Sequence, residues 1–283
     1  MIFDGFTFFN ELDILEIRLH EMAPVVDRFI VVEARQTFQG APKPLAFEEN
    51  KARFEKFADK IIHVVCDFPE DVRSLYPKAE SEHWAREYFQ RDQIARGLAG
   101  AKPDDLVIVS DVDEIISADK LRDALARRRP RELTVFEMAF YRYALNRRMK
   151  GEMWDRPRML EVRDFTTAQD VRNLVYYASS FLKKIGLWQA HARRRNRRRC
   201  GIDCPIRAVT DAGWHISSLG GWRDYREKLD AFAHVEEKAK AAYLDELAYL
   251  KRLEDTTEVV PLAAIPAFVR ENRERFAPYL AAV

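Results

Sequence analysis

The sequence predicts an α/β fold: a Rossmann-like, mainly parallel sheet with helices on both faces and a C-terminal helical cap. Three observations lead there. Short runs rich in Val, Ile and Phe recur at Arg28–Glu33, Lys60–Val65, Leu106–Ser110 and Leu133–Met138. Segments with helical spacing separate them. After Gly220 the pattern becomes helical again, through YREKLDAFAHVEEKAKAAYLDELAYLKRLE.

Along the chain, Asn10–Met22 sets Leu12, Leu15, Ile17 and Leu19 among charged residues at helical intervals. Phe38–Asn50 carries two prolines and a glycine and reads as a loop before a short helix. Glu82–Leu98 spaces Trp84, Tyr88, Ile94 and Leu98 as a helix would. Ser117 is placed to cap a helix over Ala118–Arg127. Between Gly151 and Asp211 there are only short strand-like pieces and a basic run. No repeat or low-complexity linker interrupts the 283 residues, so one domain over 1–283 is expected.

Composition narrows the function classes. Hydrophobic residues make up 47% and charged residues 33%, the balance of a globular chain with a true core. The formal charge of +1 gives no whole-molecule attraction to nucleic acid or membrane, so any charged function is local. No apolar stretch is long enough to span a membrane, and the start MIFDGFTFFNELD lacks the basic region of a signal peptide. Three cysteines, Cys66, Cys200 and Cys204, are too few and odd in number for a disulfide framework, which points to a reducing, cytoplasmic setting.

The sharpest local signal is DDLVIVSDVDE, Asp104–Glu114. An apolar strand runs into two carboxylates, Asp111 and Asp113, which an extended backbone would point to one side. Side by side they repel unless a cation lies between them, and a hard divalent ion, Mn²⁺ or Mg²⁺, is suited to oxygen ligands and to a diphosphate. The plainer reading is that these acids end a strand and begin a helix.

Several blocks together resemble glycosyltransferase family 17: MIFDGFTFFNELDILEIRL, PVVDRFIVVEA, PKPLAFEENKARF, DKIIHVV, WAREYFQRDQIARGL, PDDLVIVSDVDEI, then Ala212-Gly213-Trp214-His215 and, more loosely, Phe232-Ala233-His234. The resemblance is dense over 1–116 and thin over 150–210. It implies a GT-A type nucleotide-diphospho-sugar transferase fold, a metal-dependent inverting reaction, and UDP-GlcNAc as donor. It divides the chain into a nucleotide-sugar and metal half (1–145), an acceptor side (146–220) and C-terminal helices (221–283). It suggests His215 as a third metal ligand or pyrophosphate contact beside Asp111 and Asp113, against a structural histidine next to Trp214. It also places Arg91 and Asp92 where related transferases contact the nucleotide.

Phe6 and Asn10 would lie at the first strand–helix junction, where a base can sit, although Asn10 is equally an N-cap. Glu33 ends a strand and either contacts uridine or is solvated. Asp111 would serve the donor as well as the metal. An inverting transfer needs a carboxylate base, and Glu114, Glu152, Asp155 and Glu227 are unassigned candidates. Trp154 suits either stacking on a sugar or packing. The run Arg193–Arg199 holds six arginines in seven residues and reads as a solvated loop or as a phosphate binder, on a lipid-linked saccharide acceptor or at a membrane surface. It lacks the interleaved aromatics of single-strand nucleic-acid binding. A metal-dependent phosphohydrolase or nucleotidyltransferase, or an inactive nucleotide-sugar-binding relative, are the competing readings.

Overall fold

The computed structural model describes residues 1–176, 187–231 and 241–282. Among the described residues twelve strands form two sheets: β1 (Ile2–Phe8), β2 (Arg28–Ala34), β3 (Ile61–Cys66), β4 (Leu106–Asp111), β5 (Glu114–Ile116), β6 (Leu133–Phe136), β7 (Met138–Arg142), β8 (Arg147–Trp154), β9 (Arg158–Glu161), β10 (Ile206–Val209), β11 (Gly213–Ser217) and β12 (Thr257–Val259). The larger sheet has the order β10-β6-β9-β4-β1-β2-β3 and the smaller β12-β8-β7-β11-β5.

The first four strand-like runs of the sequence are strands in the larger sheet. Their alternation makes its two faces. Phe29, Val31 and Ile108 face one core with the Leu12–Met22 helix, while Ile30, Val32, Val107 and Val109 face another with Ile94 and Leu98. Strands buried on both faces read as continuous apolar runs, which is why they stood out.

The single, mainly parallel sheet expected of a GT-A type domain is corrected by this pairing. In the larger sheet β9 runs antiparallel between β4 and β6. The second sheet is a separate layer in which three of four pairings are antiparallel. Its strands escaped the sequence reading for a physical reason. Most of β8 (RRMKGEMW) is exposed, so no apolar run marks it.

The expected Glu82–Leu98 helix is two pieces, Glu82–Asp92 and Ile94–Gly97. Ser117 does precede a helix, Ala118–Ala126, but its side chain makes no capping bond. The arginine run is not a loop; it lies in the helix Trp188–Cys200. Phe232, Ala233 and His234 of the family resemblance fall outside the described residues, as does the middle of the long helical stretch after Gly220. No helix among the described residues is long and apolar enough to cross a membrane.

The C-terminal segment returns to the first helix through a charge cluster. Glu16 accepts from Arg275 at 2.8 and 2.6 Å and from Arg53 at 2.7 Å. The Arg275 hydrogen bonds, opposed by burial and reinforced by Arg53, lower its pKa from 4.5 to about 2. A carboxyl whose folded pKa is depressed stabilises the fold above its unfolded value and loses that contribution as pH falls through the folded one. The wild-type melting temperature is therefore expected to drop steeply between about pH 5 and pH 2, and Glu16→Gln to flatten that limb. Parallel melting curves for the two proteins would show that the cluster contributes nothing.

Candidate functional site

β4 carries the chain out of the larger sheet at Asp111, and β5 begins the smaller sheet at Glu114. The link, Val112-Asp113, is a tight turn rather than the extended backbone assumed for two aligned carboxylates. Buried Arg18 holds that turn. Its Nη1 donates to the carbonyls of Asp111 (2.9 Å), Val112 (3.2 Å) and Glu114 (2.8 Å). Its Nε and Nη2 fork onto Asp4 at 2.8 and 2.6 Å, and Nη2 also reaches Ser110 Oγ at 2.5 Å.

β11 brings His215 opposite the turn. The Ile216 N–H donates to the Asp113 carbonyl at 2.8 Å, and His215 Nε2 lies 3.6 Å from Asp113 Oδ1. The imidazole is sandwiched between Phe140, stacked at 4.5 Å, and Trp154 at 4.2 Å, which fixes the ring plane. Gly213 opens the strand with φ +149°, and a Cβ there would meet the Ile115 carbonyl at 2.1 Å. Only glycine permits this approach of β11 to β5.

Asp111 is held by two arginines. Arg91 Nη2 is 3.0 Å from Oδ1 and Arg172 Nη2 is 2.5 Å from Oδ2. Burial raises its pKa, but the charges of Arg172 and then Arg91 outweigh burial and hold the carboxyl well below the usual range. Arg172 also grips Glu114 at 2.9 and 2.7 Å.

These groups line a cleft of about 440 Å³. Its lining includes the aromatic side chains of Phe9, Phe38, Trp84 and Tyr88 and the cations Arg91, Arg142, Arg156 and Arg172. A second cavity of about 280 Å³ shares Glu11, Asp113 and Ser218 with it and is lined by Asn10, Asp224 and Glu227 among others.

Of the residues singled out in the sequence, Asp111, Asp113, His215, Arg91 and Trp154 meet in the cleft. Asn10 and Glu227 line the adjacent cavity. Others are placed elsewhere, which corrects their roles. Phe6 is fully buried under the Arg18 guanidinium, 4.4 Å from its ring. Glu33 is buried and accepts from the Phe47 N–H (3.2 Å) with His63 Nε2 at 3.1 Å, so it ties the short helix Ala46–Asn50 to the sheet. Asp92 accepts from Tyr76 Oη at 2.8 Å and from the Gln169 N–H at 2.7 Å, anchoring the Ala168–Arg172 helix. Glu114 is fully buried and bonded to Arg172, to Trp154 Nε1 (2.5 Å) and to the Asp111 N–H (2.9 Å), which leaves no lone pair aimed at an acceptor. Glu152 is exposed on β8, and neither it nor Asp155 lines either cavity.

The expected three-ligand metal set is also revised. Among the described residues no three His, Cys, Asp or Glu side chains form a metal-binding group. Asp111 is turned to its arginines, leaving Asp113 and His215 as the facing pair. Arg172, Arg142 and Arg156 were missed. Arg172 sits in the five-residue helix Ala168–Arg172, too short to show a period. Its one local signal is Thr167, whose side chain caps that helix by accepting from the Asp170 N–H at 3.1 Å.

A family model described as glycosyltransferase family 17 matches residues 1–173. The chain belongs to glycosyltransferase family 17. It is similar to β-1,4-mannosyl-glycoprotein 4-β-N-acetylglucosaminyltransferase of Homo sapiens at 28% identity, covering 78% of this chain and 44% of that protein. The Mus musculus counterpart is 27% identical with the same coverage. The chain thus spans less than half the length of the curated relatives it matches. Among solved structures it is similar to glucosyl-3-phosphoglycerate synthase from Mycobacterium tuberculosis, in complex with Mn²⁺, UDP and phosphoglyceric acid. That likeness covers 95% of this chain and 91% of the other at 13% identity and a TM-score of 0.35. At that score no fold assignment follows, GT-A included.

Proposed function

We propose that this chain is a metal-assisted inverting glycosyltransferase that moves a sugar, GlcNAc, from a UDP-sugar to a saccharide acceptor. The observation that carries this reading is Asp113 facing His215 in a cleft lined by both aromatic rings and arginines. A carboxylate and an imidazole are a donor set for Mn²⁺, and two protein ligands leave positions for phosphate oxygens, the usual way such an ion is held with a nucleotide. Asp113 and His215 would hold it, and when bound it supplies positive charge toward the leaving diphosphate.

The remaining roles fall to the chain itself. Phe9, Phe38, Trp84 and Tyr88 offer ring faces for a uracil. Arg142 and Arg156 present cations to the diphosphate, with Arg91 and Arg172 behind them clamping Asp111. Of the four candidate bases only Glu227 lines a cavity that also contains Asp113, so it is assigned to accept the proton of the acceptor hydroxyl. That oxygen bonds to the anomeric carbon as the bond from carbon to the diphosphate oxygen breaks, and the configuration inverts.

Calorimetric titration tests the donor half. UDP and Mn²⁺ are each expected to bind weakly alone and at least about tenfold tighter together, because the ion lacks a complete protein cage. Asp113→Ala should remove that coupling. UDP binding indifferent to both Mn²⁺ and Asp113 would sink the reading. For the base, Glu227→Gln should leave UDP-sugar binding intact and slow transfer by about 10²–10⁴-fold. If Glu227→Gln transfers normally and Asp224→Asn does not, the base is Asp224.

A further inference from the structure

Six arginines in the Trp188–Cys200 helix divide into two sets. Arg193 and Arg197 are tied to Asp203, at 2.8 and 3.5 Å. Arg194, Arg195, Arg198 and Arg199 are exposed and have no carboxylate partner among the described residues. On a helix turning by roughly 100° per residue, these four occupy a single arc of about 140°. Ala192 and Asn196, on the flank of the helix next to Arg199, are buried.

That buried flank is fixed to the segment that follows the cleft residues Arg172 and Asn173. The Val175 N–H donates to Asn196 Oδ1 at 2.7 Å, and Asn196 Nδ2 donates back to the Val175 carbonyl at 3.1 Å. Val175 follows Arg172 by three residues. Val175, Arg195, Arg198 and Arg199 together bound a surface depression of about 270 Å³. Leu187, 55% exposed, stands at the start of the same helix.

We propose that this arginine face docks the protein on an anionic lipid bilayer, with headgroup phosphates received by Arg195, Arg198 and Arg199. Charge complementarity argues for it. Four cations without a carboxylate partner among the described residues lie on one face of a molecule whose formal charge is only +1, so attraction to a negative surface is directional rather than general. Guanidinium groups suit phosphate oxygens by their forked donors. An exposed leucine at the start of the same helix suits the boundary between headgroups and acyl chains. A nucleic-acid strand fits less well, since no aromatic side chain is interleaved with the arginines to stack on bases. This docking does not require the transferase reading, and it would hold the Arg172 side of the cleft close to the bilayer.

The test is co-sedimentation of the full chain with vesicles of phosphatidylcholine alone or with about one third phosphatidylglycerol. Wild type should pellet with the anionic vesicles only, and about 0.5 M salt should release it. Replacing Arg194, Arg195, Arg198 and Arg199 with glutamine should weaken binding at least tenfold, with circular dichroism and UDP affinity unchanged. A control variant with Lys51, Lys78, Lys102 and Lys251 changed to glutamine removes the same charge elsewhere and should bind like wild type. Equal loss in both variants would show a net-charge effect and overturn the site. So would failure to bind anionic vesicles, or binding to inorganic phosphate or a DNA duplex that outcompetes them.

Discussion

Replacing Arg172 with methionine is expected to lower stability by about 3–5 kcal/mol and to abolish donor turnover. The side chain is 9% exposed and its guanidinium is shared between Asp111 and fully buried Glu114. Burial lowers its pKa, but the charges of Asp111 and Glu114 outweigh burial and raise it, so it remains a cation throughout the accessible range. Without it Glu114 keeps only the Trp154 indole N–H and the Asp111 backbone N–H as donors. A buried carboxylate left short of its cation is among the costliest single changes a fold can suffer, because its desolvation is no longer compensated. Function fails for a related reason. Asp111 would retain only Arg91, and the turn toward Asp113 begins at that residue. Urea unfolding at pH 7 measures the first effect. The double variant Arg172→Met with Glu114→Gln separates the causes: it should regain much of the stability, since the orphaned charge is gone, while turnover stays absent. A shift under about 1 kcal/mol for the single variant would place the pair among the weak, solvent-screened kind.

What could be read from the sequence follows burial and locality. β2 and β4 are apolar runs sandwiched between two cores, and their signal survives without a structure. β5, β11 and β12 are three to five residues long, and mostly exposed β8 shows no alternation. The second sheet that delivers His215 was therefore invisible. The acids were legible because Asp111 and Asp113 are neighbours in sequence, and His215 because a family resemblance marked it. The clamp on Asp111 was not, since Arg91 and Arg172 come from helices 20 and 61 residues away. Glu33 and Asp92 show the opposite failure. Polar residues at strand and helix ends look functional in a sequence, yet here they satisfy the backbone of adjacent segments. The arginine run reads as a loop because its charge density hides the helical arc that only Ala192 and Asn196 betray.

Arg18→Met is expected to be as damaging, and for a cause that pH can expose. Arg18 and Asp4 are both fully buried, and the arginine spends every N–H-bearing nitrogen on Asp4, Ser110 or the Asp111–Glu114 carbonyls. Loss of the cation leaves Asp4 uncompensated in the core, at about 3–5 kcal/mol, and frees the carbonyls that shape the Val112-Asp113 turn. Burial already pushes the Asp4 carboxyl above its ordinary value, against the charge and hydrogen bonds of Arg18. Without Arg18 that pKa rises further. A carboxyl whose folded pKa lies above its unfolded one favours the fold below the unfolded value and loses that contribution as pH rises through the folded one. The variant should therefore be least destabilised near about pH 4 and most destabilised above neutrality. Unfolding titrations at the two pH values give the comparison, and adding Asp4→Asn should recover stability at pH 8 but not at pH 4. Recovered stability would not restore the turn, so UDP and Mn²⁺ should remain uncoupled in the double variant. Normal metal-dependent UDP binding there would mean that Arg18 supports the fold without positioning Asp113.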